Sequence, residues 1–228
     1  MKPIAIFYHT VFFKTDGSPF EWSVKFNDKY MKDLRDSGLM AAQQHFVASI
    51  NGGQESEIYA KLCLPEAQHR FHGLDAQGNS LLVQEMRDFA VDHPGWNLLF
   101  FHSKGLAHST PDYASYVEFE ARWIKCMVNA CIYNWRTCVS DLETHDSVGC
   151  HWMKNVGVPP VDNIWGGTFY WVTSDFFATR TPMNECPLVK QYGIRSWEAR
   201  ATSEQYIGLG PTLPRVKDYH VDGIGACP

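Results

Sequence analysis

Four consecutive polar residues that close an apolar run, His102-Ser103-Lys104-Gly105 after Leu98-Leu99-Phe100-Phe101, are the part of this chain best equipped for chemistry. An imidazole, a hydroxyl and an ammonium side by side supply hydrogen bonds and positive charge, and the glycine lets the backbone turn close to a ligand. An apolar run of this kind is a buried strand, and in an open α/β sheet ligands bind outside the carboxyl ends of the strands. The same tetrad also fits a strand cap with a solvated lysine. Two further strand ends carry polar groups: His9-Thr10 closes the run from Ile4, and Asn51-Gly52 follows Phe46 to Ile50. Topology sets them beside the tetrad, although His9 also reads as a satisfied buried histidine and Asn51-Gly52 as a plain turn.

The elements that must position these groups follow from periodicity. Residues 4–9 are a short buried strand, and residues 46–50 are a second. Between them Trp22, Phe26, Tyr30 and Leu34 recur every four residues and Ser37-Gly38 closes the pattern, which predicts an amphipathic helix over 19–37. Strand, helix, strand is the start of an open α/β sheet. Residues 54–78 are less patterned, with a short helix or strand near 58–64 and a strand around 70–71. A helix over 80–92 ends at Pro94-Gly95, before the central strand. Ser109-Thr110-Pro111-Asp112 caps a helix carrying Tyr116, Phe119, Trp123, Met127 and Ala130, and a second helical stretch runs through Ile132, Trp135, Val139 and Leu142. Continuous strands are expected over 147–152 and 164–173, a short helix from Ser174, a last helix over 198–207, and a Pro/Gly-rich tail from Gly208 laid over the surface.

Composition bounds the function. With 228 residues, 45% of them hydrophobic and 14% aromatic, the chain fits one large α/β domain. A net charge of -5 without charge runs argues against a non-specific nucleic-acid partner, which needs a basic stripe. Seven cysteines, odd in number and mostly within apolar segments, read as reduced thiols rather than a disulfide framework. Met1 leads straight into a strand, with no room for a signal peptide, and no apolar run approaches a transmembrane span, so a cytoplasmic protein is expected. His145, Cys150 and His151 match no zinc spacing, and Gly223-Ile224-Gly225 opens no helix.

The succession of motifs carries a resemblance. An apolar strand into His-Ser-Lys-Gly is followed by Arg122-Trp123, by Asp146-Ser147-Val148-Gly149 and Trp152, by Trp165-Gly166-Gly167-Thr168-Phe169-Tyr170-Trp171, and by Glu204-Gln205-Tyr206-Ile207. This order resembles a family of small glycosyltransferase-like proteins with a strand-His-Ser/Thr-Lys-Gly motif, and it covers about half the chain, from Asn97 to Ile207. The resemblance implies a single GT-A-like domain, a Rossmann-type mixed central sheet flanked by helices. Its nucleotide-binding half would span about 1–105, its acceptor-side half about 106–207, and a tail 208–228. It implies a hexosyltransferase-like enzyme of polysaccharide biosynthesis that moves a sugar from a nucleotide-sugar to a glycan or other hydroxyl acceptor.

In that reading His9, Thr10, Asn51, Gly52, His102, Ser103, Lys104 and Gly105 meet the nucleotide-sugar. Trp165, Gly166, Gly167 and Glu204 meet the sugar or acceptor. Lys104 and His102 neutralise the departing diphosphate and Glu204, with Glu198 as fallback, is the base. The family pattern is broken at one point: no Asp-X-Asp occurs in the chain, which leaves metal dependence open, a manganese or magnesium ion with His102 as a single ligand being the alternative to neutralisation by Lys104 and His102. The alternative is a GT-A-like domain that binds a glycan or nucleotide without catalysis. Trp165 and Trp171 also read as core, Gly166-Gly167 as a β-bulge, and Glu204 as a charge that favours a helix N-terminus.

Overall fold

The computed structural model describes residues 1–12, 21–73, 78–103, 123–153 and 163–219. Nine strands lie in these segments: β1 Ile4–Val11, β2 His45–Asn51, β3 Gln68–His72, β4 Asn97–His102, β5 Ser147–Gly149, β6 Trp152–Met153, β7 Ile164–Trp165, β8 Tyr170–Thr173 and β9 Val216–Asp218. Seven of them form one sheet in the order β3-β2-β1-β4-β8-β5-β9. Strands β1 to β4 are mutually parallel. Strand β8 runs against both β4 and β5, and β9 is parallel to β5, so six strands share one direction and one is reversed. The mixed α/β class is therefore as the sequence implies, and the chain's two halves build a common sheet.

The first half follows its periodicity closely. Helix α1 (Glu21–Asp36) joins β1 to β2, and it stops where Gly38 takes φ 76, a left-handed conformation that glycine adopts without steric cost. Helix α3 (Gln54–Cys63) and helix α4 (Gly78–Asp92) flank β3; between α1 and β2 lies the single turn α2 (Leu39–Ala42). Alternation along β1, β2 and β4 sorts the core into two layers. Ile6, Tyr8, Ala48, Leu99 and Phe101 pack with α1 and with the helical stretch 123–141. Ala5, Phe7, Val47, Leu98 and Phe100 pack with α4 and the late helices.

The second half departs from expectation in three places. The strand expected over 147–152 is broken at His151, whose φ of 68 turns the chain out of the ladder, giving β5 and β6. The strand expected over 164–173 is interrupted by a turn in which Gly167 and Thr168 have φ 82 and 58. Tail residues Val216–Asp218 pair with β5 as the outermost strand, and Arg215 anchors them through a two-pronged contact with Asp146 at 2.8 and 3.0 Å. Three residues are too few to show a strand period. The expectation of reduced cysteines fails in part, because an odd count does not forbid a bond: Cys126 is disulfide-bonded, while Cys63, Cys131, Cys138, Cys150 and Cys186 are free thiols. Among the described residues no helix is long and apolar enough to cross a membrane.

Candidate functional site

Parallel strands β1 and β4 place His9 and His102 directly opposite each other at the carboxyl edge of the sheet, each 8% exposed. Both lie on the α4 side, two residues beyond Phe7 and Phe100. Their tautomers follow from their partners. The Ser49 hydroxyl donates to the Gly78 carbonyl at 2.9 Å, so its contact with His9 Nδ1 at 3.3 Å requires His9 Nδ1–H to donate. His102 Nε2 lies 3.0 Å from the Gly167 carbonyl, which only accepts, so the proton is on Nε2 and Nδ1 is the acceptor nitrogen of the neutral ring.

Gly78 opens α4 against this edge. A Cβ there would lie 2.7 Å from Ser49 Oγ and 2.9 Å from His72 Cδ2, and nearer still to Asn51 Oδ1. The first turn of a 15-residue helix is thus ringed by Ser49, Asn51 and His72, and its first N–H groups, which have no acceptor within the helix, and its positive dipole end lie at the same edge. Burial, and secondarily the Arg195 guanidinium, hold the His72 imidazole below its ordinary pKa. A histidine with a depressed folded value takes up its proton more readily when unfolded, so its neutral form supports the fold at neutral pH and that support is lost as pH falls from about 6.5 through the folded value. A His72→Gln variant is expected to lose less thermal stability than the parent between pH 7 and pH 5.5. Identical acid sensitivity in the two proteins would refute this.

Long-range packing brings the last helix to the same place. Asn79 Nδ2 donates to Ser203 Oγ at 2.8 Å across 124 residues, which seats the helix Trp197–Gln205 and its half-buried Glu204 beside the α4 N-terminus. Asn79 Oδ1 and Ser80 Oγ are buried there without a hydrogen-bond partner. Such atoms cost free energy unless something bonds to them.

Thr10 and Ser103 fall on the opposite side. Thr10 is fully buried and accepts from Asn27 Nδ2 at 3.0 Å, while Tyr8 donates to Asn27 Oδ1 at 2.8 Å. The side chains of Thr10 and Ser103 lie beside the Tyr8 hydroxyl. These groups tie α1 to the strand ends, so the Thr10 side chain is not in the His9–His102 cluster; strict alternation sends it to the other face.

The glycines and tryptophans expected to meet a sugar are occupied by protein. Trp165 is 1% exposed, donates its indole N–H to Ser147 Oγ at 2.9 Å and packs edge-on against Trp152. Trp171 is also buried, its N–H given to the Cys131 carbonyl at 2.8 Å. The close neighbours of Gly166 are Met153 and the His151 carbonyl, and those of Gly167 are Met127 and Trp123. The backbone there is approached by these side chains, and that accounts for the glycines.

Comparison with protein-family models, with curated proteins and with solved structures gave no match.

The carboxyl edge therefore stands on its own geometry. It gathers the strand-end groups His9, His102, Asn51 and Gly52, and the Glu204 segment, which the strand-end argument did not include, lies beside them. Lys104 and Gly105 lie outside the described residues. Sequence reasoning missed His72 and Asn79, and it weighed His151 only as a zinc ligand. For the histidines the common signal is position: β3 and β4 end in a histidine, His9 lies two residues before the end of β1, and His151 two residues after the end of β5. No group of three or more His, Cys, Asp or Glu side chains among the described residues is placed to hold a metal ion.

Proposed function

We propose that this chain is a glycosyltransferase of GT-A type that moves a sugar from a nucleotide-sugar to a glycan or other hydroxyl acceptor. The observation that carries the reading is the convergence, at one carboxyl edge, of the His9–His102 pair, the α4 N-terminus and the Glu204 segment. The reversed strand β8, inserted between same-direction strands β4 and β5, is in keeping with a GT-A-like sheet.

The chemistry asks for three things. The acceptor hydroxyl oxygen forms a bond to the anomeric carbon, the bond from that carbon to the diphosphate oxygen breaks, and the bonding pair leaves with the diphosphate. The acceptor's proton goes to Glu204, the general base of this scheme. Negative charge growing on the diphosphate is met by Lys104, and by His102 when its Nδ1 carries a second proton, its Nε2–H being committed to Gly167. His9, Asn51 and Gly52 with the α4 N-terminus receive the nucleotide, where positive dipole and N–H groups favour a phosphate. Among the described residues no group of three or more His, Cys, Asp or Glu side chains is placed to hold a cation.

A second reading, a GT-A-like domain that binds without catalysis, is favoured by one observation, the missing Asp-X-Asp. Isothermal titration with uridine, guanosine and thymidine diphosphates, with and without manganese, tests the first reading: at least one is expected to bind, and silence from all of them would sink it. Lys104→Ala is expected to weaken diphosphate binding by about tenfold or more while leaving nucleoside binding nearly unchanged, a difference of about 1.4 kcal/mol. Equal losses for both ligands would make Lys104 structural.

A further inference from the structure

The sheet edge has a second flank. On the far side of His102 from Asn51 and His72, backbone is held in costly conformations: His151 at φ 68, Asn163 at φ 77 and Thr168 at φ 58, none of them glycine. His151 is kept there by the Asp218 carboxylate, which accepts from the N–H of His151 and of Trp152, both at 2.9 Å. Its carbonyl accepts from Gly166 N–H at 2.8 Å. The product of this construction is a corner where the His151 ring meets the Trp123 indole edge-on, centroids 5.7 Å apart at 83°. Trp123 also lies against Gly167, the residue whose carbonyl accepts from His102 Nε2–H. Unlike Trp165 and Trp171, Trp123 is only partly buried.

We propose that Trp123 and His151 form the acceptor subsite and that its ligand is a saccharide. A flat apolar indole with an imidazole at its border suits a molecule that is apolar on one face and hydroxylated around its rim, as a pyranose ring is. Trp123 packs against the C–H face and His151 hydrogen-bonds a rim hydroxyl. The position divides the edge: nucleotide on the β1–β2–β3 flank, acceptor sugar on the β8–β5 flank, with His102 between them and the Glu204 helix packed on both α4 and β7. Asp218 is a positioning residue, since it acts through the His151 backbone. This inference rests on the glycosyl-transfer reading for the word acceptor, but sugar binding at Trp123 is separable from it.

The test uses the full chain and two ligand classes. Tryptophan fluorescence and isothermal titration are run with methyl glycosides of glucose, galactose, mannose and N-acetylglucosamine, and separately with the three nucleoside diphosphates. At least one glycoside is expected to bind, and Trp123→Ala to weaken it about tenfold, with Trp123→Phe retaining most of the affinity and diphosphate binding unchanged in both. His151→Gly keeps the backbone turn, because glycine accepts the positive φ without strain; it gives up a buried ring, so its melting temperature should fall yet stay well above the titration temperature while glycoside affinity is lost. Binding of no glycoside, or parental affinity in Trp123→Ala, overturns the proposal. Loss of diphosphate affinity in Trp123→Ala also overturns it, since the indole would then be stacking a nucleobase. Glycoside binding that depends on Trp123 in a chain that binds no diphosphate would instead remove the transferase reading and leave a glycan-binding domain.

Discussion

Trp171→Ala is expected to destabilise the fold by about 3–5 kcal/mol, the usual cost of deleting a large buried aromatic. The indole is wholly buried in the reversed strand β8, between Leu99 of β4 and Val148 of β5. It also satisfies the Cys131 carbonyl at 2.8 Å, in the π-helical turn Asn129–Tyr133. Leaving that oxygen unbonded in the interior adds about 1–3 kcal/mol where water cannot reach it. Against a total stability of about 5–15 kcal/mol for a domain, the loss is a large fraction. Urea denaturation measures it: the midpoint should fall sharply. Trp171→Phe, which keeps most of the packing and loses the N–H donor, should fall by less. A Trp171→Ala midpoint equal to that of the parent would show that β8 is not held by this side chain.

Gly78→Ala has the largest expected effect on ligand binding. Replacing a glycine within a helix by alanine ordinarily gains about 0.5–1 kcal/mol. Here the added methyl would crowd Ser49 Oγ at 2.7 Å and His72 Cδ2 at 2.9 Å, with Asn51 Oδ1 closer. Overpacking of this kind costs about 1–3 kcal/mol, so crowding outweighs propensity. Because Ser49 also accepts from His9 Nδ1–H, moving it disturbs the histidine that faces His102. Diphosphate affinity is expected to fall by about tenfold or more, and the melting temperature to fall with it. Gly73→Ala is the control, since a Cβ there meets nothing within 4 Å. If Gly78→Ala binds as well as Gly73→Ala, the α4 N-terminus is not part of the ligand site.

Much of the first half was legible in the sequence because its signals are repeated. Four apolar residues at helical spacing define α1, and the unbroken apolar run of β4 defines the centre of the sheet. Strand β3 was barely visible: it is an edge strand with one fully paired side, and its residues Gln68 to His72 alternate poorly in burial. The second half hid its breaks in single residues. Nothing in the identity of His151 or Thr168 announces a positive φ, because the conformation is imposed from outside, in the case of His151 by Asp218 from 67 residues away. The same limit applies to the aromatic residues. Eight tryptophans look alike in a sequence, and only packing separates Trp165 and Trp171, sealed in the core, from Trp123 at the edge.

The site's carboxyl edge depends on groups that arrive late in the chain. Helix α4, His9 and His102 are present once the first hundred or so residues have been made, whereas Asp218 reaches His151 only after β9 has been made and laid beside β5. The α4 flank is thus completed by Ser203 and the His151 flank only by Asp218, each far along the chain from the residues it meets. A chain cut before β9 would lack the carboxylate that holds the His151 turn, so truncation there is expected to disturb that flank first.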